Sequence, residues 1–78
     1  MKYAVKILPR TEVLDSQGRA VEQTMQRLGH DLKACRVGKY LVLDIEARDM
    51  AEGEKKAKAM AENGLYNPLI ETFELEAL

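Results

Sequence analysis

Only a few residues of this chain have side chains suited to catalysis, and they are scattered. His30 is the only histidine and Cys35 the only cysteine among 78 residues. His30 falls in a predicted loop with no nucleophile placed beside it, and Cys35 falls in a predicted strand, where a lone cysteine usually acts as a small buried hydrophobic side chain. Neither belongs to a cluster with metal-ligand spacing. The sequence therefore predicts no catalytic, cofactor-binding or metal-binding residue.

Signals for anion binding are also weak. The five glycines are isolated from one another, so the sequence has no phosphate-binding loop. The charged run at 54–58 lies in a predicted helix, and we interpret it as a solvated face. Arg10 follows the first predicted strand, near the place of the anion-binding arginine in acylphosphatase-like enzymes, although no glycine-rich loop follows it. A small acyl-phosphate hydrolase that depends on Arg10 is one alternative function.

The composition is typical of a small globular domain, with 46% hydrophobic residues, 32% charged residues and a net charge of -1. The near-zero charge and the few aromatic residues argue against a nucleic-acid partner. No apolar run approaches the roughly 20 residues of a membrane span, so we expect a cytoplasmic protein with no membrane partner. A domain this short buries only about 60% of the surface of its unfolded chain. We therefore expect one domain over residues 1–78 that is stabilised as a homodimer or homotetramer.

The hydrophobic patterns predict four strands and two helices as the framework for any site. Strands are predicted at 2–7, 32–37, 40–46 and 69–75, and helices at 19–28 and 50–63, the first capped by Asp15 or Ser16. The side chains of the last two strands that are predicted to point into the core are Leu41, Leu43, Ile45, Leu69, Phe73 and Leu75. Gly38 and Lys39 fit a two-residue hairpin loop between the second and third strands. The order β-α-β-β-α-β predicts an α+β, ferredoxin-like antiparallel sheet with two helices on one face.

The other face of the predicted sheet would carry no helix. Lys2 and Lys6 are expected to pair there with Glu74 and Glu76 across neighbouring strands. A face with several apolar side chains needs cover, so we expect a sheet-mediated dimer in which another copy packs on it. The self-association candidates on this face are Tyr40, Val42, Ala4 and Thr72.

Three short segments are similar, in order and spacing, to segments of one known family. Residues 14–21, Leu-Asp-Ser-Gln-Gly-Arg-Ala-Val, resemble the V-L-D-P-Q-G-x-A-V that opens the first helix of the PurS family. Residues 36–39, Arg-Val-Gly-Lys, resemble its R-x-G-K, and residues 67–71, Asn-Pro-Leu-Ile-Glu, resemble its N-P-x-I-E. Ser16 stands where the family commonly has proline, and both residues suit a helix start. The resemblance covers essentially the whole chain.

The resemblance implies the small, non-catalytic subunit of phosphoribosylformylglycinamidine (FGAM) synthase, a ligase of purine biosynthesis. It implies a PurQ-type glutaminase that releases ammonia from glutamine, and a PurL-type synthetase that uses ATP and Mg to join this ammonia to formylglycinamide ribonucleotide. The small subunit would bridge the two and assist ammonia transfer, with no cofactor of its own. A shielded path matters because ammonia in neutral water is mostly ammonium, which is not a nucleophile.

Five residues within these segments are candidates for partner contact. Arg36 and Lys39 are the preferred ones, because a basic pair at an exposed hairpin would have no evident internal partner. Asp15, Gln17 and Asn67 also suit a helix cap or a turn, which is the favoured interpretation of all three. The alternative function is an ACT-type small-molecule-binding regulatory domain, which has the same element order and dimerises through its sheets.

Overall fold

The computed structural model describes residues 1–78 and contains one antiparallel sheet with two helices. The strands are β1 (Lys2–Pro9), β2 (Lys39–Asp44) and β3 (Glu71–Ala77), in the order β2-β1-β3. The helices are α1 (Ser16–Arg27) and α2 (Met50–Met60), and α2 continues as a π-helical turn over Ala61–Leu65. None of the helices has both the length and the apolar character to cross a membrane. The predicted α+β class with an antiparallel sheet is confirmed.

The hydrophobic core lies between one face of the sheet and α2. The alternation of β1 places Tyr3, Val5 and Ile7 on this face, and all three are buried. Ala57 of α2 and Ala61 of the π-helical turn are fully buried against them. Because alanine is small, the helix can lie close to the large side chains of the central strand.

The predicted inward residues of the outer strands are correct with one exception. Leu41 and Leu43 of β2 and Phe73 and Leu75 of β3 pack partly buried against the core. Leu69, predicted to point inward, is 83% exposed, because β3 begins only at Glu71 and Leu69 belongs to the preceding turn.

The opposite sheet face carries the predicted charges. Lys6 Nζ lies 2.6 Å from Glu76 Oε2, and Glu74 is opposite Lys6 in the strand register. The hydrogen bond and the negative charge of Glu76 raise the pKa of Lys6. Lys2 makes no ion pair, and Asp44, which faces it on β2, lies 3.6 Å from the N-terminal amine instead.

Residues 28–38 differ most from the sequence prediction. The strand expected at 32–37 is absent, and no backbone–backbone hydrogen bond involves residues 31–37. The hairpin expected at Gly38 and Lys39 is also absent, because such loops need positive φ angles and only Gly29 has one. Those two predictions are wrong. The chain passes through Gly38 and continues directly into β2, which pairs with β1 from Lys39 onward.

We call α1 together with residues 28–38 the arm. Gln26 Nε2 donates to the Leu32 carbonyl at 3.0 Å, and the Val37 N–H donates to Asp15 Oδ2 at 2.8 Å, so the returning segment runs antiparallel to α1. No α1 residue belongs to the core clusters, and Leu28 is 68% exposed. Within one chain, α2 alone therefore covers the sheet, whereas two covering helices were predicted.

The arm makes the molecule elongated. The radius of gyration is 15.7 Å, and the principal dimensions are 50 × 25 × 13 Å. A compact domain of this length would have a radius of gyration of about 11.5 Å. The sheet and α2 form a packed unit, and the arm extends the chain beyond it.

Candidate functional site

The three segments that suggested a family meet at one groove beside the base of the arm. We call it the motif groove; its volume is about 290 Å³. Residues 14–17 come from the first segment, residues 37–39 from the second and residues 70–71 from the third. The lining residues are Pro9, Val13, Leu14, Asp15, Ser16, Gln17, Val37, Gly38, Lys39, Ile70 and Glu71. Segments that are far apart in sequence thus form one surface.

Asp15 uses both of its carboxylate oxygens inside the chain. Oδ1 accepts the Gly18 N–H at 2.9 Å and caps α1, while Oδ2 accepts the Val37 N–H at 2.8 Å. These two hydrogen bonds lower the pKa of Asp15, because they favour its charged form. Asp15 therefore joins the start of the arm to its end, as the helix-cap interpretation predicted, and α1 begins at Ser16 rather than Arg19.

Two arginines hold the loops around the groove. Arg36 donates from its guanidinium to the Pro9 carbonyl. Arg10 Nε donates to the Pro68 carbonyl at 2.9 Å, and the Arg10 N–H donates to the Ile70 carbonyl at 2.8 Å. Arg10 thus attaches the third segment to the loop after β1. This role gives no support to the anion-binding alternative.

Lys39 and Asn67 have internal partners as well. Lys39 Nζ lies 3.8 Å from Glu71 Oε2, and Glu71 Oε1 accepts the Asn67 N–H at 2.8 Å. Asn67 Oδ1 accepts the Leu69 N–H at 3.0 Å, which stabilises the turn before β3. No sequence pattern indicated these contacts, since they depend on how the segments meet in space.

Two glycines of the segments are required by close backbone packing. A Cβ atom at Gly18 would overlap the Cys35 carbonyl, and one at Gly38 would overlap the Ile7 carbonyl. Gly18 lets the returning segment lie against the start of α1. Gly38 lets the same segment reach β1 and enter the sheet.

The groups at the groove that remain free are mostly apolar. Leu14 is 73% exposed and Leu69, beside Ile70, is the most exposed large hydrophobic residue of the chain. Gln17 is exposed and its side chain forms no hydrogen bond. A rigid frame with exposed leucines suits protein–protein contact better than chemistry. Leu14 and Leu69 were not predicted to be surface residues, because apolar residues beside strands and helices are normally buried.

The residues considered for catalysis do not come together in a site. His30 is exposed, Cys35 is half-buried, and no buried residue of the chain is polar or charged. No group of three or more His, Cys, Asp or Glu side chains is arranged to hold a metal ion.

The sheet face opposite α2 has a second, larger hollow of about 450 Å³, which includes Leu8, Tyr40 and Thr72. Tyr40 and Val42 are more than half exposed on this open sheet face, as predicted. Ala4 lies on it too but is fully buried by its neighbours, so it has no accessible surface of its own. A role of this face in self-association stays a prediction.

Comparison with known proteins gives a consistent result. The profile of the family described as "PurS: Phosphoribosylformylglycinamidine (FGAM) synthase" matches residues 2–78. The chain is 40% identical over 72 residues to the Synechocystis phosphoribosylformylglycinamidine synthase subunit PurS, covering 88% of this chain and 72% of that protein. It is 38% identical to Thermus thermophilus PurS, with a TM-score of 0.86 and coverage of 100% and 99%. A chain in the structure of PurLQS from Thermotoga maritima is 29% identical, with a TM-score of 0.92 and coverage of 99% and 95%.

Proposed function

The chain belongs to the PurS family, and on this premise we propose that it is the bridging subunit of an FGAM synthase, linking a PurL-type synthetase to a PurQ-type glutaminase. The observation that carries the proposal is the match of the family profile to residues 2–78. The likeness to a chain of the PurLQS structure supports assembly with two larger proteins. The ACT-type regulatory domain is not favoured, because it would require a different family.

The proposed role needs no catalytic residue in this chain. The reaction uses glutamine, water, ATP and formylglycinamide ribonucleotide, and yields glutamate, formylglycinamidine ribonucleotide, ADP and phosphate. Glutaminase and ligase chemistry would reside in the larger cytoplasmic partners, together with ATP and Mg. The small subunit would hold two active sites in register, so that ammonia passes between them unprotonated. Its scattered histidine and cysteine and its uncharged core are consistent with this role.

The motif groove is the surface that we propose for contact with a larger partner. Its frame is fixed by the hydrogen bonds of Asp15, Arg10 and Arg36. The backbone that carries its free groups, Leu14 and Gln17, is therefore ordered before binding, which lowers the entropy cost of association. Lys39 adds a positive charge at its edge, which can also pair with an acidic partner residue.

Reconstitution with PurL-type and PurQ-type proteins from the same organism tests the function. We expect glutamine-dependent FGAM formation to require this chain, while FGAM formation by the synthetase from added ammonium salt does not. Equal loss of both activities on omitting the chain would contradict a bridging role. Full glutamine-dependent activity without the chain would also contradict it.

Substitutions at the groove test the surface. Leu14→Asp and Lys39→Glu should weaken assembly at least tenfold in a binding titration with the two partners. Lys55→Glu, on an exposed part of α2 with no ion pair, is the matched control and should assemble normally. If Lys55→Glu weakens assembly and the groove variants do not, the contact lies on α2 instead. Circular dichroism confirms that each variant is folded.

A further inference from the structure

On the basis of the proposed bridging function, we propose that the outer edge of β3 binds an extended basic segment of one larger subunit by strand addition. A subunit that links two larger proteins needs a contact surface for each of them. The motif groove is the surface proposed for one, and of β3 it includes only the first residue, Glu71. The rest of β3 leads away from the groove and has its own free edge.

The backbone groups of β3 alternate between β1 and the open side of the sheet. In the order β2-β1-β3, only one side of β3 has a neighbouring strand. The Arg10 N–H donates to the Ile70 carbonyl, and the Leu78 N–H donates to the Lys2 carbonyl. Hydrogen-bonded positions recur at every second residue of an antiparallel pair. The even-numbered residues of β3 therefore bond to β1, and the odd-numbered residues direct their backbone groups to the open edge.

This edge is free from Phe73 onward. The first outward N–H group, that of Glu71, donates to the Asn67 carbonyl at 2.8 Å and so belongs to the turn before the strand. Phe73, Leu75 and Ala77 take part in no backbone hydrogen bond outside the strand ladder. Each of them therefore presents an unpaired N–H and an unpaired C=O group. A strand laid along β3 can bond to all of these groups.

The edge lacks the structural devices that usually prevent strand addition. Natural sheets protect exposed edges with proline, lysine or a β-bulge. β3 contains neither proline nor lysine, and its register with β1 is continuous from Glu71 to Ala77, without a bulge. A second strand therefore meets no steric or backbone obstacle along this line.

The charge of β3 selects the kind of strand that fits. Its charged residues, Glu71, Glu74 and Glu76, are all acidic. Pairing two copies of β3 would bring these carboxylates together, and like charges across a strand pair are destabilising. Glu71 and Glu76 each have a lysine partner within the chain, whereas Glu74 is exposed and forms no ion pair. A lysine or arginine opposite Glu74 in an antiparallel added strand would lie close to it, because this is a non-hydrogen-bonded position of the open edge.

The side of the edge that faces α2 favours apolar residues in the added strand. Phe73 and Leu75 pack against the core from this side and remain half-buried. Side chains of a strand alternate between the two faces of a sheet. The segment that fits therefore alternates basic residues, beside Glu74 and Glu76, with apolar residues that cover Phe73 and Leu75.

Amide hydrogen exchange in the assembled complex tests the inference residue by residue. Without partners, the N–H groups of Phe73, Leu75 and Ala77 should exchange freely, whereas those of Glu74 and Glu76 are protected by β1. Assembly with the PurL-type and PurQ-type proteins should slow exchange at the first three positions at least tenfold. Assembly that leaves these three rates unchanged would overturn the inference while the proposed bridging function stands.

Two substitutions test the backbone and the charge of the edge separately. Ala77→Pro removes an N–H group that points away from β1, and Glu74→Lys places a positive charge against a basic segment. Each should weaken assembly at least tenfold in a binding titration. Glu54→Lys makes the same charge change at an exposed position of α2 that has no ion pair, and it should assemble normally. Circular dichroism checks that each variant is folded. A folded edge variant that assembles as well as the wild type would overturn the inference.

A peptide probe decides the inference independently of the synthase partners. A short peptide of alternating lysine and valine, with blocked ends, should slow amide exchange at Phe73, Leu75 and Ala77. A matched peptide of alternating glutamate and valine should not. If the wild-type chain fails to assemble with the two larger proteins, the proposed function is lost, and the peptides alone decide whether the edge binds a basic strand. Equal effects of the two peptides, or no effect of either, would overturn the inference.

Discussion

The two halves of this chain are held together in different ways. The sheet and α2 form a core of large side chains on β1 and buried alanines on the helix. The arm has no core, and polar contacts fix it instead: Asp15 to Gly18 and Val37, and Gln26 to Leu32. Apolar packing stabilises in proportion to the area buried, whereas each exposed hydrogen bond contributes little net free energy. One chain alone thus has a stable half and a weakly held half, and substitutions in the two should behave differently.

The largest difference is expected for core truncation. Ile7→Ala removes a fully buried side chain from the central strand and should lower the free energy of unfolding by about 2–5 kcal/mol. Val21→Ala in the arm should cost well below 1 kcal/mol under conditions where the chain is monomeric. Urea denaturation measures both. If Ile7→Ala leaves too little folded protein, Ile7→Val should still cost about 0.5–1.5 kcal/mol.

The concentration dependence of these two variants sharpens the comparison. Ile7→Ala should be destabilising at every protein concentration. Val21→Ala should become more destabilising as the concentration rises, if the arm helix packs on a second copy. An effect of Val21→Ala that is large and independent of concentration would show that α1 packs on its own sheet.

The junction between the two halves should be the next most sensitive place. Gly38→Ala places a Cβ atom against the Ile7 carbonyl, so β1 and the entry into β2 have to separate. We expect a loss of about 1–3 kcal/mol in the free energy of unfolding. Gly64→Ala is the matched control, since a Cβ there meets nothing within 4 Å and its φ is not positive. It should be neutral or stabilising by up to about 1 kcal/mol.

The sequence predicted the sheet–α2 half well because local patterns decide it. Tyr3, Val5 and Ile7 alternate with charged or small residues, and that alternation fixes which face of β1 is buried. The paired charges of Lys6 and Glu76 followed from the same register. The arm was predicted less well. Gly38-Lys39 is compatible with a hairpin, but a glycine that can turn can equally lie flat against a neighbouring backbone. The close contact of Gly38 with the Ile7 carbonyl, which is distant in sequence, goes with the flat conformation and not with the hairpin.

The sequence predicted which segments form the candidate site, but it did not predict which of their side chains contact each other. The three segments that resemble PurS do meet at the motif groove. Lys39 was expected to have no partner within the chain, but its side chain faces Glu71. The two residues meet because β1 pairs with both β2 and β3, which brings the starts of β2 and β3 near each other. Leu69 was expected in the core and is at the surface. The Lys39 error arises because the partner of Lys39 is distant in sequence, whereas the Leu69 error arises because β3 begins two residues later than predicted.

The helix caps allow a smaller and more selective comparison. Asp15→Ala removes both the cap of α1 and the acceptor of the Val37 N–H, so it should lower the free energy of unfolding more than the loss of a cap alone. Asp49→Ala removes only the cap of α2, at 2.8 Å from the Glu52 N–H, and should cost about 1 kcal/mol or less. Amide hydrogen exchange should show that Asp15→Ala accelerates exchange in α1 and at Val37, while α2 is unchanged. Equal acceleration in both helices would mean that the halves unfold together.

Asp15 also gives the arm a pH dependence of definite sign. Its pKa is lowered in the folded chain by the Gly18 and Val37 N–H groups. A lowered pKa means that the contribution of Asp15 to stability is complete above the ordinary carboxyl pKa of about 3.9 and is lost as the pH falls through the folded value. Acid should therefore loosen the arm in the wild-type chain. In Asp15→Asn the arm should be looser at neutral pH and should lack this part of the acid response, which hydrogen exchange at pH 3 and pH 6 can measure.

The smallest effects are expected from the exposed ion pairs, which differ between the sheet and the groove. Lys6 and Glu76 are 2.6 Å apart within the sheet, whereas Lys39 and Glu71 are 3.8 Å apart at the base of the arm. Lys6→Met should lower the free energy of unfolding only slightly and Lys39→Met still less, because water screens both pairs. The loss for Lys6→Met should shrink in 1 M salt. Since the pKa of Lys6 is raised in the folded chain, its contribution is complete below the ordinary lysine pKa and is lost as the pH rises through the folded value. A cost for Lys39→Met that exceeds the cost for Lys6→Met would mean that the groove pair, despite its longer distance, is the stronger link between the arm and the sheet.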